Sequence, residues 1–279
     1  MNIQEFLDLC VAFEKMLYIK QKERVGRKRA VGGGRRGKLT TAQEKLAFIL
    51  IYIRVYPTFD VMSVLTDRAR SKCCESVQHW LPILERVLDH ACVLPKRKIH
   101  SLSAFFEAFP CAKDVFIDGS ERQIQRPTKS SSRRKSYSGK KKCCTRKNIF
   151  VVDRTRRIGL LSPTKSGRRH DKRLTDKAHV LHHIPKEVTV WGDTGFQGAA
   201  HQHANSMLPI KARKGNKLSP EEKEHNRLIG TFRCVAEHAI GGYKRFKSAR
   251  DIYRNHRPNL DDTFHLVSAG LWNFHLQYI

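Results

Sequence analysis

Apolar positions recur at helical spacing through the first third of the chain and at shorter, strand-like spacing later. Over 1–18, Ile3, Phe6, Leu7, Cys10, Phe13 and Leu17 line one side of a short amphipathic helix. Thr41-Ala42-Gln43-Glu44 reads as a capping box ahead of Leu46, Ile49, Leu50 and Ile53, which predicts a helix over 41–54. Pro57 stops that pattern. A short helix follows over 59–65, then a turn at 66–70 and a longer helix over 71–90 that contains Pro82. The outline is that of a helix-turn-helix unit, and an ordinary three-helix packing unit would share it. In a helix-turn-helix the last helix enters the major groove by its N-terminal end, which here offers Arg70, Ser71 and Lys72, with Glu75 and Gln78 further along.

From residue 114 the period shortens. Val115-Phe116-Ile117 is a brief apolar run ending at the turn signal Asp118-Gly119. The runs 149–153 and 157–161 flank the polar turn Arg154-Thr155-Arg156 and predict a hairpin. Further strands are expected over 188–191 and 207–212, a helix over 171–182, and a long polar-rich helix over 220–246. Strands alternating with helices predict an α/β half after an all-α half. Its 279 residues suggest about two domains at roughly 150 residues each.

Charge changes the picture more than hydrophobicity does. Lysine and arginine number 54 against 26 acids, a formal charge of +28, which calls for a polyanionic partner. The surplus is clustered. Residues 19–38 hold nine Lys/Arg and one acid and end in a glycine-rich run, which reads as a basic arm. Residues 119–147 hold eleven Lys/Arg and one acid, including Arg133-Arg134-Lys135 and Lys140-Lys141-Lys142. They read as a flexible phosphate-contacting loop, or as a solvated insertion. The longest apolar stretch, 47–53, is too short for a bilayer, and Glu5, Asp8 and Glu14 interrupt any secretory leader, so a cytoplasmic protein without membrane contact is expected. The cysteines lack metal-knuckle spacing and read as reduced thiols.

In so basic a chain the acids stand out. Asp118 and Asp193 each follow a predicted strand, where ligands of α/β sheets gather. Glu237 lies on the long helix among Val235, Ala236, Ala239 and Ile240, and is expected to point inward. Arg233, Glu237 and Lys244, at about 0°, 40° and 20° around that helix, share a face. Three converging carboxylates suit Mg²⁺ or Mn²⁺, and two such ions about 4 Å apart serve in-line displacement at phosphorus, with Arg233 and Lys244 neutralising the phosphate. Against this, Asp118 and Asp193 also fit turns, and Glu237 could pair with Arg233. Asp153 and Asp171 are weaker candidates, Asp171 reading as a helix N-cap.

Five ordered blocks carry a family likeness. They are Phe116-Ile117-Asp118-Gly119-Ser120-Glu121-Arg122 with Gln125-Arg126-Pro127, Tyr137-Ser138-Gly139-Lys140, His170-Asp171-Lys172, Gly192-Asp193-Thr194-Gly195-Phe196, and Glu237-His238-Ala239-Ile240-Gly241-Gly242 with Lys244-Arg245-Phe246. From about residue 38 onward the chain resembles the DDE transposases of bacterial insertion sequences, in the branch related to Harbinger-type endonucleases. The resemblance implies an α/β, ribonuclease-H-like catalytic domain over 110–279, a mixed sheet flanked by helices. An all-α helix-turn-helix domain over 39–95 and an N-terminal helix and arm over 1–38 would precede it. It implies Asp118, Asp193 and Glu237 as metal-binding triad and Arg233 and Lys244 near the phosphate. It further implies cleavage at terminal inverted repeats, joining of 3′-hydroxyls to target DNA, and a homo-oligomer on DNA. An inactive DNA-binding relative and a nuclease without strand transfer are the rival expectations. The family's helix signature has tyrosine where this chain has Gly230, and a larger aliphatic residue where it has Ala236.

Overall fold

A computed structural model describes residues 1–23, 26, 37–110, 112–177, 180–212 and 217–279. Most of the predicted basic arm, and Cys111, lie outside the described residues. In chain order the helices and strands begin with α1 (Ile3–Lys22), α2 (Ala42–Val55), α3 (Phe59–Thr66), α4 (Arg70–His90) and α5 (Leu102–Ala108). Next come β1 (Asp114–Gln123), α6 (Ser130–Ser136), β2 (Tyr137–Ser138), β3 (Cys143–Asp153), β4 (Ile158–Leu161), β5 (Lys165–Ser166) and α7 (Asp171–Lys177). The chain closes with β6 (Thr189–Trp191), β7 (Ser206–Met207), α8 (Pro220–Tyr243), α9 (Lys247–Arg250) and α10 (Leu260–His275). Two compact units result, one of residues 1–94, 245–251 and 263–279, the other of 95–244 and 252–262.

The first unit is helical. Thr41 caps α2 as its sequence promised: its hydroxyl accepts from the Glu44 N–H at 3.1 Å, while the Glu44 carboxylate accepts from the Thr41 N–H at 2.9 Å. Leu46, Ile49 and Ile53 of α2 are fully buried, with Val77, Leu84 and Leu88 of α4 and Leu9 and Phe13 of α1. Helix α1 packs on α2 and α4, so the 1–18 helix belongs to this unit and not to a separate N-terminal segment. So do residues 263–279, where Phe264 rests on the rings of Tyr52 and Tyr56. Between α3 and α4 lies the short turn 67–69, which Asp67 enters at φ 47°.

The second unit is mixed α/β. Its sheet has the order β2-β3-β1-β6-β7, with β4 and β5 also on β3. Strand β1 pairs antiparallel with β3 and parallel with β6, and β6 runs parallel to β7. The predicted hairpin is present as antiparallel β3 and β4. A core of Phe105, Phe109, Val115, Ile117, Ile149, Val151, Leu160, Leu181 and Val190 fills one side. A mixed sheet flanked by helices is compatible with a ribonuclease-H-like domain.

Several expectations are corrected here. Strand β1 does not end at Asp118 but runs on to Gln123, because Ser120 and Arg122 continue the buried alternation. Arg122 is buried where its guanidinium meets Asp261 at 2.7 Å and lies over the Tyr253 ring at 4.9 Å. The supposed loop 119–147 is therefore structured, holding the second half of β1, α6, β2 and the start of β3. Its basic clusters sit on α6 (Arg133, Arg134, Lys135) and in the turn between β2 and β3 (Lys140, Lys141, Lys142). The strand expected over 207–212 is only Ser206–Met207, and the helix expected over 171–182 is described only as far as Lys177.

Candidate active site

Parallel pairing of β1 with β6 brings the two aspartates together. Phe116 is opposite Trp191, the last residue of β6, so Asp118 and Asp193 each lie two residues past that pair at the same end of the sheet, near enough for the Asp193 charge to act on Asp118. Gly192 permits the turn out of β6, since a Cβ there would come within 2.8 Å of Leu208 and 3.0 Å of Ile117. Asp118 accepts from the Gly119 N–H at 2.7 Å, and Asp193 from the N–H and hydroxyl of Thr194, the latter at 2.9 Å. Burial raises the Asp118 carboxyl above the usual aspartate range. The Gly119 N–H and Arg233 pull it down, and the charges of Asp193 and Asp171 push it further up.

Helix α8 covers this corner. Ser219 and Glu222 form its capping box with Pro220 at the first helical position, and it packs on β1, β3 and β6. Phe232 stacks on Trp191 at 4.5 Å and Tyr243 meets Phe150 edge-on at 5.0 Å. With Ile229 as origin, the buried Ala236, Ile240 and Tyr243 fall within about 40° of it, Arg233 and Lys244 at about 40° and 60°, and Glu237 at about 80°. Half-buried Arg233 reaches Asp193 at 4.0 Å. The Lys244 ammonium is lowered by burial, drawn up by the charge of Asp118 and pushed down by Lys141. Glu237 is exposed at the rim of the helix's buried face, not pointing inward as its apolar neighbours suggested, and by helical angle it lies to the solvent side of the two cations that face the aspartates.

Asp171 was under-read by the sequence. It is the first residue of α7, where the carbonyl of His170 takes the first helical hydrogen bond from Leu174, so His170 holds the cap position. The Asp171 carboxylate lies against two glycines: a Cβ on Gly119 would stand 2.7 Å from it, and one on Gly195 3.3 Å. Lys147, 7% exposed, pairs with Asp171 at 3.0 Å and with Glu121 at 3.0 Å. Neither Lys147 nor Glu121 is marked by hydrophobic pattern. Asp171 has a sequence signal in the His170-Asp171-Lys172 block.

All the carboxylates here offer oxygen, the donor type of hard divalent cations, and half-buried Asp118 beside two like charges is short of positive charge, so Asp118 and Asp193 fit such an ion. Convergence of three is not seen: among the described residues no three Asp, Glu, His or Cys side chains stand close enough to hold one ion together.

Away from this corner, Arg70 opens α4 and pairs with Asp60 at 3.5 Å, Lys72 pairs with Glu75 at 2.8 Å, and the Gln78 amide meets the Cys74 sulfur at 3.2 Å. These side chains and Ser71 lie on the exposed start of α4. None of the described cysteines is paired with another. No helix among the described residues is long and apolar enough to cross a membrane.

Residues 117–273 match the family model of the DDE superfamily endonucleases. The chain belongs to that family. A probable transposase for insertion sequence element IS702 from Microchaete diplosiphon is 31% identical over 245 residues, which cover 87% of this chain and 83% of that protein. No solved structure matches. Asp118, Asp193 and Glu237 all fall inside the family match.

Proposed function

We propose that this DDE endonuclease is an insertion-sequence transposase that binds terminal inverted repeats, cleaves DNA and joins the freed 3′-hydroxyls to target DNA. The observation that carries it is that Asp118 and Asp193 follow the same end of the paired strands β1 and β6 and feel each other's charge, with Arg233 and Lys244 facing them. Asp118, Asp193 and Glu237 would hold Mg²⁺ or Mn²⁺, Glu237 swinging in from the rim of α8. A pair of such ions supplies activation of an attacking oxygen and stabilisation of a leaving oxygen. The chain's own residues do the rest. Gly119 and Thr194 fix the aspartates through hydrogen bonds, and Arg233 and Lys244 neutralise the phosphate on which they converge.

Binding is assigned to other surfaces. Arg70, Ser71, Lys72 and Gln78 at the start of α4 are the groove-reading set, with α3 and α4 acting as a helix-turn-helix. Arg133, Arg134, Lys135, Lys140, Lys141 and Lys142 supply sequence-independent phosphate contacts. Two ends must be synapsed, so the working form is a homo-oligomer on DNA, at the nucleoid.

The test uses a plasmid carrying the coding region with its native flanking DNA, a separate target plasmid, and Mg²⁺. The full chain is expected to release 3′-ended fragments and join them to the target. Asp118→Asn, Asp193→Asn and Glu237→Gln should each lower cleavage by a factor on the order of 10³ or more while leaving DNA retention within about threefold. Unaltered cleavage in all three variants overturns the site. Cleavage without joined product reduces the protein to a nuclease, and retention without cleavage to a DNA-binding relative.

A further inference from the structure

The sheet unit holds a second concavity, beyond the far end of β1 from the aspartates. Strand β2 lies antiparallel to β3 with Tyr137 opposite Cys144, and Lys142 turns the chain between them at φ 54°. The Cys144 thiol meets the carbonyl of Arg133 at 3.9 Å and so ties α6 to the hairpin. Between these elements and the end of β1 is a cavity of about 1050 Å³. Among the described residues five cations line it, Arg126, Arg133, Arg134, Lys142 and Arg168, and no carboxylate does.

Charge alone would suit any phosphate, but the remaining lining is of a different kind. Ile124 and Cys144 are buried apolar side chains, and the Tyr137 ring is 46% exposed. The Arg133 Nε–H is out of solvent and has no hydrogen-bond partner, an unfavourable state that an arriving acceptor would relieve. An aromatic face and an apolar floor beside cations recognise a base together with its phosphate. A paired base within a duplex offers only its groove edges, because its faces are covered by neighbours.

From these observations we infer that the cavity seats one unpaired nucleotide of a DNA strand, its phosphate on the arginines and its base against Tyr137. The inference rests on the DNA-binding reading above and names the form of DNA this part of the chain takes. Gln123 lies five residues beyond Asp118 on β1, about 16 Å at about 3.3 Å per residue. That is the length of about five base steps along one strand of a duplex, so a strand reaching both places is engaged several nucleotides from the aspartates.

The experiment compares the full chain's affinity for a fully paired duplex and for the same duplex with a single unpaired 5-iodouracil nucleotide bulged from one strand. The bulged duplex is expected to bind about tenfold tighter, in line with about 1–3 kcal/mol per stacked base. Irradiation should cross-link the iodouracil to the peptide containing Tyr137. Tyr137→Ala should abolish the preference while holding affinity for the paired duplex within about twofold, which also shows that the variant folds, and Arg133→Met should abolish the preference while weakening both duplexes, as loss of a phosphate contact requires. Equal affinity of the wild-type chain for the two duplexes, or a preference that survives in both variants, overturns the cavity assignment and leaves the DNA-binding reading standing. Binding to neither duplex overturns both.

Discussion

Asp118 and Glu121 lie three residues apart on one strand, and the fold treats them in opposite ways. Burial pushes both carboxyls toward the protonated form. Around Glu121 that push is outweighed: Ser138, Lys147 and Thr145 all donate to it, the last two at 3.0 Å and 2.8 Å, and its carboxyl ends below the usual glutamate range. Around Asp118 the push prevails, because one backbone N–H and Arg233 are set against two neighbouring aspartates. The first acid is satisfied by its own fold. The second is kept in a place that does nothing for stability, which is the mark of a group retained for binding or chemistry.

The strongest way to break that contrast is to remove the cation on the satisfied side. Lys147→Met would leave the Glu121 carboxylate buried, and that of half-buried Asp171, without their shared partner, and loss of one member of a buried ion pair destabilises by about 3–5 kcal/mol. Urea unfolding should show a correspondingly lower midpoint at unchanged slope. A shift under about 1 kcal/mol would mean that the network does not hold this end of β1. Glu121→Gln is the milder test, about 1–3 kcal/mol, since the amide oxygen still accepts from Thr145 while Lys147 keeps Asp171. Its effect should depend on pH. Glu121 titrates lower in the folded chain, so its contribution is complete above its ordinary value of 4.5 and fades as pH falls through the folded value. Lys147 titrates higher, so its share is complete below 10.5 and is lost as pH rises through the folded value. The difference in midpoint between wild type and Glu121→Gln should therefore be flat near neutrality and shrink in acid; a difference that persists unchanged in acid would contradict the assignment.

Much of this was legible in the amino-acid order, and what was not has a common cause. Helices α2, α3, α4 and α8 were readable because caps and apolar spacing are local: Thr41 with Glu44 and Ser219 with Glu222 lie within one turn of each other. Asp118 and Asp193 were readable because each follows a short apolar run. The second half of β1 and the start of β3 were not. Their buried side chains are polar, and what permits Arg122 or Lys147 to be buried is Asp261, 139 residues away, or Asp171, 24 residues away, which no local pattern reveals. The same blindness made residues 119–147 look like a solvated loop and placed Glu237 inward, where its neighbours Ala236 and Ile240 are buried but its own position lies at the rim.

The smallest expected effect has the opposite sign and sharpens the contrast most. Asp118 titrates higher in the folded chain than in the unfolded chain, so its ionisation removes stability as pH rises from its ordinary value of 3.8 through the folded value. Above the folded value that loss is complete. Asp118→Asn keeps the shape and an oxygen for the Gly119 N–H while deleting a charge that repels Asp193 and Asp171. The variant should be more stable than wild type by on the order of 1 kcal/mol in chelator at pH 7, the usual direction when uncompensated buried charge is replaced by a neutral group of like volume. The gain should vanish in acid, where the wild-type carboxyl is protonated, and should shrink or reverse when Mg²⁺ is added, because an ion that binds only the folded wild type restores what the carboxylate lacks. A variant that melts below wild type in chelator at neutral pH would show that Asp118 is held by its fold in the way Glu121 is.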